Sequence, residues 1–169
     1  LKSNRTVALS KEDKAHGRGA ELLALQDIIM AELEIRVKQN QNISIADKID
    51  APVAVMIGKC DILKEQLDWE RIRWPIRDKK FDLEVVNANS QILREYMMDM
   101  HPSIVANSEA LSKNVRFFPV SAFGHSPRTF KTGDQEFIAP DPDKIDPIMI
   151  EIPTIWVLSE IVPDLVPVA

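Results

Sequence analysis

The sequence predicts a three-layer α/β fold in which a partial parallel sheet is flanked by helices. Two short apolar segments rich in β-branched residues, 52–57 and 115–120, have the pattern of buried strands. Segments with helical periodicity precede, separate and follow them, which is the order expected of a parallel sheet. Two strands make a very small sheet for such a fold, so we expect its remaining strands to lie outside this chain.

The composition of the chain excludes several classes of function. Its 169 residues are 45% hydrophobic and 28% charged, as in an ordinary globular domain. Lys and Arg total 21 against 26 Asp and Glu, and the net charge of −5 gives no attraction to nucleic acid. A single cysteine is typical of a reducing compartment, and no apolar run approaches the ~20 residues of a membrane span. We therefore expect a cytoplasmic protein that binds neither nucleic acid nor membrane.

The N-terminal part of the chain is predicted to contain a polar segment, a helix and a strand. Residues 1–17 are polar and patternless, whereas 18–169 are predicted to form one α/β domain that is part of a larger one. A helix is predicted over 18–38 because four apolar residues recur at helical spacing: Leu22, Leu25, Ile29 and Leu33. The strand 52–57, predicted to be buried on both faces, ends abruptly at the tetrapeptide 58–61 (Gly-Lys-Cys-Asp).

The segment between the two strands is predicted to be mainly helical. Residues 62–78 mix helical and irregular patterns, and their two tryptophans are predicted to be packing anchors. An amphipathic helix that ends at Met100 is predicted to start with Asn89 or Ser90 as its cap. A further helical stretch is predicted from Pro102 towards the second strand.

The part of the chain after the second strand is predicted to be a loop and a helix. Residues 125–143 have no periodic pattern and are predicted to be a loop. The last helix is amphipathic, with Pro153 in its first turn, where a proline is tolerated because its missing N–H would be unpaired anyway.

The tetrapeptide 58–61 is the first candidate site, because open α/β sheets bind ligands where their strands end. The carboxylate of Asp61 can accept two parallel hydrogen bonds from N1 and the exocyclic amino group of guanine. Adenine lacks that pair of donors and would leave the carboxylate unpaired, which costs about 1–3 kcal/mol. The aliphatic part of Lys59 can lie along the face of the purine while its ammonium stays in water.

Ser121 and Ala122, at the end of the second predicted strand, are the second candidate site. Small residues allow a backbone N–H to approach a ligand closely. A backbone donor aimed at guanine O6 would reject adenine, whose amino group at the same position is itself a donor. The two candidate sites therefore recognise complementary edges of one base.

Three segments of the sequence resemble those of P-loop GTPases. The tetrapeptide 58–61 resembles the [Asn/Thr]-Lys-x-Asp guanine motif of Ras-like and translation-factor-related GTPases, and 118–122 (Phe-Pro-Val-Ser-Ala) resembles their Ser-Ala motif. The segment 151–158 is similar to the Pro-hydrophobic-Trp start of the final helix in some bacterial GTPase-like proteins. This resemblance implies the C-terminal part of a P-loop GTPase-like fold.

The resemblance also implies roles for individual residues. The base of GTP or GDP would be gripped by Lys59 and Asp61, the backbone of Ala122 would bind O6, and Ser121 would shape the loop. The partners implied are a guanine nucleotide and the rest of the domain, supplied by the same chain or by another protein. An incomplete sheet exposes strand edges, so we expect the isolated chain to dimerise, exchange segments or aggregate.

The sequence departs from this family in the features that bind phosphate. Gly58 stands where the family has Asn or Thr, whose side chain braces the base loop against the phosphate loop. Neither Gly-x-x-x-x-Gly-Lys-[Ser/Thr] nor Asp-x-x-Gly occurs in the sequence, so nothing here cradles phosphate or places a hydroxyl on Mg²⁺. This chain alone is predicted to have no catalytic residue, and Mg²⁺ would enter with the nucleotide only if a phosphate-loop half is supplied.

Three alternatives remain open at the level of sequence. The chain could be a degenerate, non-catalytic GTPase-like scaffold that binds another protein. Asp61 could simply cap a helix after a strand-end turn. The third alternative, an enzyme of another doubly wound family, would need a catalytic group that the sequence does not identify.

The three histidines are too far apart in the sequence to suggest a set of metal ligands, so no metal site is predicted; they are His16, His101 and His125.

Overall fold

A computed structural model of the chain describes residues 28, 30–44, 46–133, 135–162 and 164–169. The chain divides into two compact units, Leu1–Asp47 and Lys48–Ala169. In the first unit, helix α1 occupies residues 30–40. This confirms the C-terminal half of the helix predicted over 18–38, while the beginning of that helix and the polar segment 1–17 lie outside the described residues.

The second unit has a parallel strand pair at its centre. Strand β1 (Val53–Ile57) pairs in parallel with β4 (Val115–Pro119), so both predicted strands and their relative direction are confirmed. Two antiparallel pairs accompany them: β2 (Ile76–Arg77) with β3 (Lys80–Phe81), and β5 (Arg128–Thr132) with β6 (Gln135–Ala139). The described part of the chain is therefore a mixed α/β structure with small parallel and antiparallel sheets.

Three helices of the second unit pack against the parallel pair. They are α2 (Leu83–Met100), α3 (Pro102–Leu111) and α4 (Ile152–Ile161). The last of these contains Pro153 in its first turn, as predicted. Among the described residues, no helix combines the length and apolar character that crossing a membrane requires.

Successive residues of β4 point into two separate hydrophobic clusters, because strand side chains alternate between faces. Phe118 packs with Trp156 of α4, their ring centroids 5.5 Å apart, whereas Phe117 packs with Leu93 of α2 and Val105 of α3. Helices therefore pack on both faces of the strand pair, and loops occupy the edge where its strands end.

The prediction that the first strand is buried on both faces is wrong at Met56, which is 61% exposed. Within the described part of the chain, β1 has one strand neighbour, β4. Met56 lies on the same face of the strand as Ala54, and helix α4 covers this face at Ala54 but not at Met56.

Helix α2 begins at Leu83, earlier than predicted, and Asp82 caps it by accepting a hydrogen bond from the backbone N–H of Val85 at 3.1 Å. The predicted caps, Asn89 and Ser90, are instead buried in the middle of the helix. Both side chains do bond to backbone groups, as the side chains of cap residues do. These backbone groups, however, belong to other segments of the chain. The side chain of Asn89 bonds both the N–H and the carbonyl of Arg73, and Ser90 Oγ accepts from the backbone N–H of Phe117.

The predicted loop 125–143 contains the hairpin β5–β6. Its pairing is supported by cross-strand contacts, with the rings of Phe130 and Phe137 stacked at 5.6 Å and Lys131 paired with Glu136 at 2.6 Å. The predicted packing role of Trp69 is confirmed by its place at the edge of a hydrophobic cluster, whereas Trp74 is 49% exposed and anchors little.

Candidate functional site

The ends of β1 and β4 bring the two candidate segments together. Ile57 lies opposite Pro119 in the parallel register, so both strands end at the same edge. Beyond the strands, the N–H of Val120 donates to the carbonyl of Ile57 at 3.0 Å, and the N–H of Cys60 donates to the carbonyl of Val120 at 3.1 Å. Backbone hydrogen bonds therefore hold residues 58–61 beside residues 120–122.

Asp61 and Ser121 are in direct contact at this edge. Ser121 Oγ donates to Asp61 Oδ1 at 2.5 Å and accepts from the backbone N–H of Gly124 at 3.0 Å. Ser121 is 4% exposed, whereas Asp61 is half-buried. Because a carboxylate can only accept, the serine proton lies in the bond to Asp61, while a lone pair of the same hydroxyl accepts from Gly124. These two bonds hold the carboxylate of Asp61 in one orientation.

The other carboxylate oxygen, Asp61 Oδ2, makes no hydrogen bond with any of the described residues, and neither does the backbone N–H of Ala122. Ala122 is exposed. The edge therefore presents an acceptor and a backbone donor, one from each strand end, that are available to a ligand.

Asp61 does not cap the short helix in which it lies. A 3-10 helix spans Cys60–Leu63, its N-cap residue is Lys59, and no side chain caps it. The alternative in which Asp61 acts as a helix cap is therefore wrong, because its carboxylate is turned towards Ser121 instead.

Lys59 is exposed and adopts a left-handed backbone conformation with φ of 54°. For a residue other than glycine, this conformation costs about 1–2 kcal/mol. The strain is tolerated because two backbone hydrogen bonds hold the turn in place: the N–H of Cys60 donates to the carbonyl of Val120, and the N–H of Ile62 donates to the carbonyl of Lys59. Strained turns of this kind are concentrated at ligand-binding loops.

Gly124 closes the loop that follows Ser121. Its φ is +71°, and a Cβ at this position would lie 1.8 Å from the carbonyl oxygen of Asp146. The backbone of Ser121 pairs in both directions with Ile148, and the N–H of Asp146 donates to the carbonyl of Phe123. Residues 146–148, which hold the loop through these bonds, carry no motif in the sequence. A glycine shortly after a strand end is the one signal that could have pointed to them.

Cys60 lies between the two candidate residues of its loop and is fully buried. Burial raises the pKa of its thiol to about 11, and the nearby charge of Asp61 acts in the same direction. The thiol therefore stays protonated at neutral pH, so Cys60 serves as a small packing residue rather than as a nucleophile.

A cleft of about 480 Å³ is lined by residues 146–149, which bond to the loop after β4, and also by Lys64, Trp69 and Trp74. Neither Asp61 nor Ala122 lines it, so the free acceptor and donor lie outside this cleft.

The basic residues after the second motif are held within or beside the hairpin. Arg128 pairs with Asp141 at 2.9 Å and Lys131 pairs with a glutamate of β6, so neither reaches towards the candidate site. His125 Nδ1 lies 2.9 Å from the carbonyl of Ser126. Within the described residues, no group of three or more His, Cys, Asp or Glu side chains is arranged to hold a metal ion.

No protein-family model matches this chain, and comparisons with curated protein sequences and with solved structures find no significant match. Function must therefore be inferred from the geometry at the strand ends.

Proposed function

We propose that this chain recognises the base of a guanine nucleotide, GTP or GDP, as the C-terminal portion of a P-loop GTPase-like domain. The observation that supports the proposal most directly is the hydrogen bond between Asp61 and Ser121. It joins the two halves of the motif pair, one after each of two adjacent parallel strands, at the edge where α/β sheets bind ligands.

The chemistry of the site suits guanine in both halves. A carboxylate oxygen can accept two hydrogen bonds, so Asp61 Oδ1 can receive guanine N1–H in addition to Ser121, while Oδ2 receives the exocyclic amino group. The free N–H of Ala122 would donate to O6. Since Ser121 holds the carboxylate in one orientation before the base arrives, little side-chain entropy is lost on binding.

Lys59 has a supporting role in this proposal. Its exposed side chain can lie along the face of the purine, with the ammonium in water. In the chain it lies between the end of β1 and Asp61, in a left-handed turn. Its contribution would be contact with the ring rather than discrimination between bases.

The proposed activity stops at recognition of the base. GTP hydrolysis, and the Mg²⁺ that accompanies it, would require a phosphate-loop half supplied by another part of the protein or by a partner.

The proposed location of this chain is the cytoplasm, supported by its single cysteine, which has no disulfide partner within the sequence.

Saturation-transfer NMR with guanosine and adenosine tests the proposal directly, because these nucleosides carry no phosphate that this chain would need to hold. We expect saturation transfer to guanosine and a much weaker signal for adenosine. Equal transfer to both, or transfer to neither, would remove the specificity claim. Calorimetry with GDP and ADP on a protein that includes a phosphate-loop half provides the quantitative comparison.

A degenerate scaffold that binds another protein is the second candidate function. It is favoured by Gly58, which lacks the bracing side chain of the family, and by the hairpin β5–β6, which exposes Phe137 by 47% and Ile138 by 76%. Two results together would support this function instead. The folded chain would not bind guanosine, and the substitution Ile138→Lys would abolish its binding to the partner.

A further inference from the structure

A polar cleft of about 420 Å³ opens where β4 begins, at the opposite end of that strand from Ser121. It is bordered by α2, the end of α3 and the first residues of β4. Four of its lining side chains are cationic: Lys48, Arg94, Lys113 and Arg116. Its size is within the range of pockets that hold small ligands.

The cleft is positive although the chain is acidic. Glu109 is the one carboxylate among the described residues that line it, and Asp50 lies 2.8 Å from the Nζ of Lys113. Among the described residues that line the cleft, four cations face one carboxylate, and two further carboxylates act from outside the lining, Asp50 on Lys113 and Glu95 on Arg94. The lining is therefore positive in a chain whose net charge is −5. A concentration of charge opposite in sign to the whole molecule marks this cleft as a place where anions accumulate.

Arg116 supplies charge that no carboxylate among the described residues neutralises. Its Nε donates to Asn87 Oδ1 at 2.6 Å and its Nη1 donates to the carbonyl of Val115 at 2.8 Å. The guanidinium also lies 5.9 Å from the ring centroid of Trp156. Neutral acceptors and an aromatic face therefore hold this cation in a fixed orientation without cancelling its charge.

Neutral donors and a second arginine complete the lining. Ser90 Oγ accepts from the backbone N–H of Phe117 at 2.9 Å, which leaves its own proton able to donate. Arg94 is paired with Glu109 through two hydrogen bonds, and the charge of Lys48 also acts on that carboxylate. Glu109 is consequently the group that opposes an incoming anion.

We infer that this cleft binds a compact, doubly charged oxyanion, such as a phosphate group, between Arg116, Lys48 and the hydroxyl of Ser90. Such a site goes beyond base recognition at the other end of the strand and does not depend on it. Free phosphate and a small phosphate monoester share the chemistry that these side chains recognise.

An ¹H–¹⁵N NMR titration of the full chain tests the site, with inorganic phosphate in one arm and glycerol 3-phosphate in the other. Ionic strength is held constant by replacing chloride. We expect saturable shifts confined to the cleft residues in at least one arm, and the arm that binds more tightly identifies the source of the phosphate. Shifts that scatter over the surface, or that chloride alone reproduces, would overturn the inference.

Three variants of cleft residues and one control variant test the site further. Their expected effects on the affinity for phosphate differ in direction. Arg116→Gln and Lys48→Gln should each weaken phosphate binding by about tenfold, whereas Glu109→Gln should strengthen it several-fold by releasing Arg94. Lys80→Gln removes the charge of an exposed lysine on strand β3, outside the cleft, and should leave phosphate binding unchanged. Lys48 is itself exposed, so its variant remains informative even if Arg116→Gln fails to fold. Equal weakening by all the lysine and arginine variants, or no strengthening by Glu109→Gln, would contradict the site.

Discussion

Replacing Asp61 by Asn should convert the site from guanine to xanthine recognition. The structure favours one orientation of the new amide. The Ser121 hydroxyl keeps its proton hydrogen-bonded when the amide oxygen of residue 61 takes the place of Oδ1, while a lone pair still accepts from Gly124. The amide NH₂ then takes the place of Oδ2 and faces the ligand as a donor.

The magnitude follows from the hydrogen bonds that change. In guanine the exocyclic amino group would now meet another donor, and a charge-assisted hydrogen bond worth about 1.5–3 kcal/mol would be lost. We expect guanosine affinity to fall by at least about tenfold. Xanthine has an oxygen where guanine has that amino group, so it accepts from the new amide while its N1–H still donates to the amide oxygen.

Saturation-transfer NMR with guanosine and xanthosine measures the switch, and thermal unfolding followed by tryptophan fluorescence confirms that the variant is folded. Asp61→Ala is the matched control, because it removes both hydrogen-bonding atoms and should lose both ligands. If Asp61→Asn binds guanosine as well as the original chain does, the carboxylate is not the group that recognises the base. The proposed recognition of guanine would then be wrong even though Asp61 and Ser121 are in contact.

Four further predictions concern the loops around the site. Ser121→Ala should lower the free energy of unfolding by about 1–2 kcal/mol in urea titrations, because it leaves a carboxylate oxygen and a backbone N–H without their shared partner. Gly124→Ala should cost about 3 kcal/mol or more, since the new Cβ would lie 1.8 Å from a backbone oxygen; Gly133→Ala, with a similar φ and no atom within 4 Å, should cost only about 1 kcal/mol. Cys60 should resist thiol reagents at pH 8 until the chain unfolds, and because its pKa is raised from 9.0 to about 11 on folding, stability should decline as pH rises through that interval. Gly58→Asn should be tolerated, with stability unchanged or raised by up to about 1 kcal/mol, because no atom lies within 4 Å of its Cβ position; a loss above that size would show that glycine is required there.

The parallel strand pair could be predicted from the sequence because its signals are local. Each strand is a short β-branched run bounded by turn residues, and the helices between them make a parallel connection the natural one. The hairpin β5–β6 was missed because its strands are mostly polar and exposed, so their alternation carries little hydrophobic signal. Its stability comes from pairs such as Phe130 with Phe137, which only the register reveals.

The start of α2 could not be predicted because polar residues have two uses that look alike in a sequence. Asn89 and Ser90 belong to the residue types that cap helices, yet both are buried and bond backbone groups of other segments. Asp82, the actual cap, is preceded by a strand residue, Phe81, and residues 81–85 (Phe-Asp-Leu-Glu-Val) alternate apolar and polar side chains, a pattern typical of a strand rather than of a first helical turn. Tertiary interactions decide which polar residue acts as the cap.

The contact between Asp61 and Ser121 depends on register, which neither motif specifies by itself. The two residues are 60 positions apart, and they meet because Ile57 lies opposite Pro119. A slip of one residue would move the two loops apart by about 3.3 Å and turn every side chain of one strand to the wrong face. Phe117 and Phe118, buried in separate clusters on opposite faces, forbid that slip. The core packing of β4 therefore sets the geometry of the site at its end, and any substitution that lets this strand shift should disturb Asp61 before it unfolds the chain.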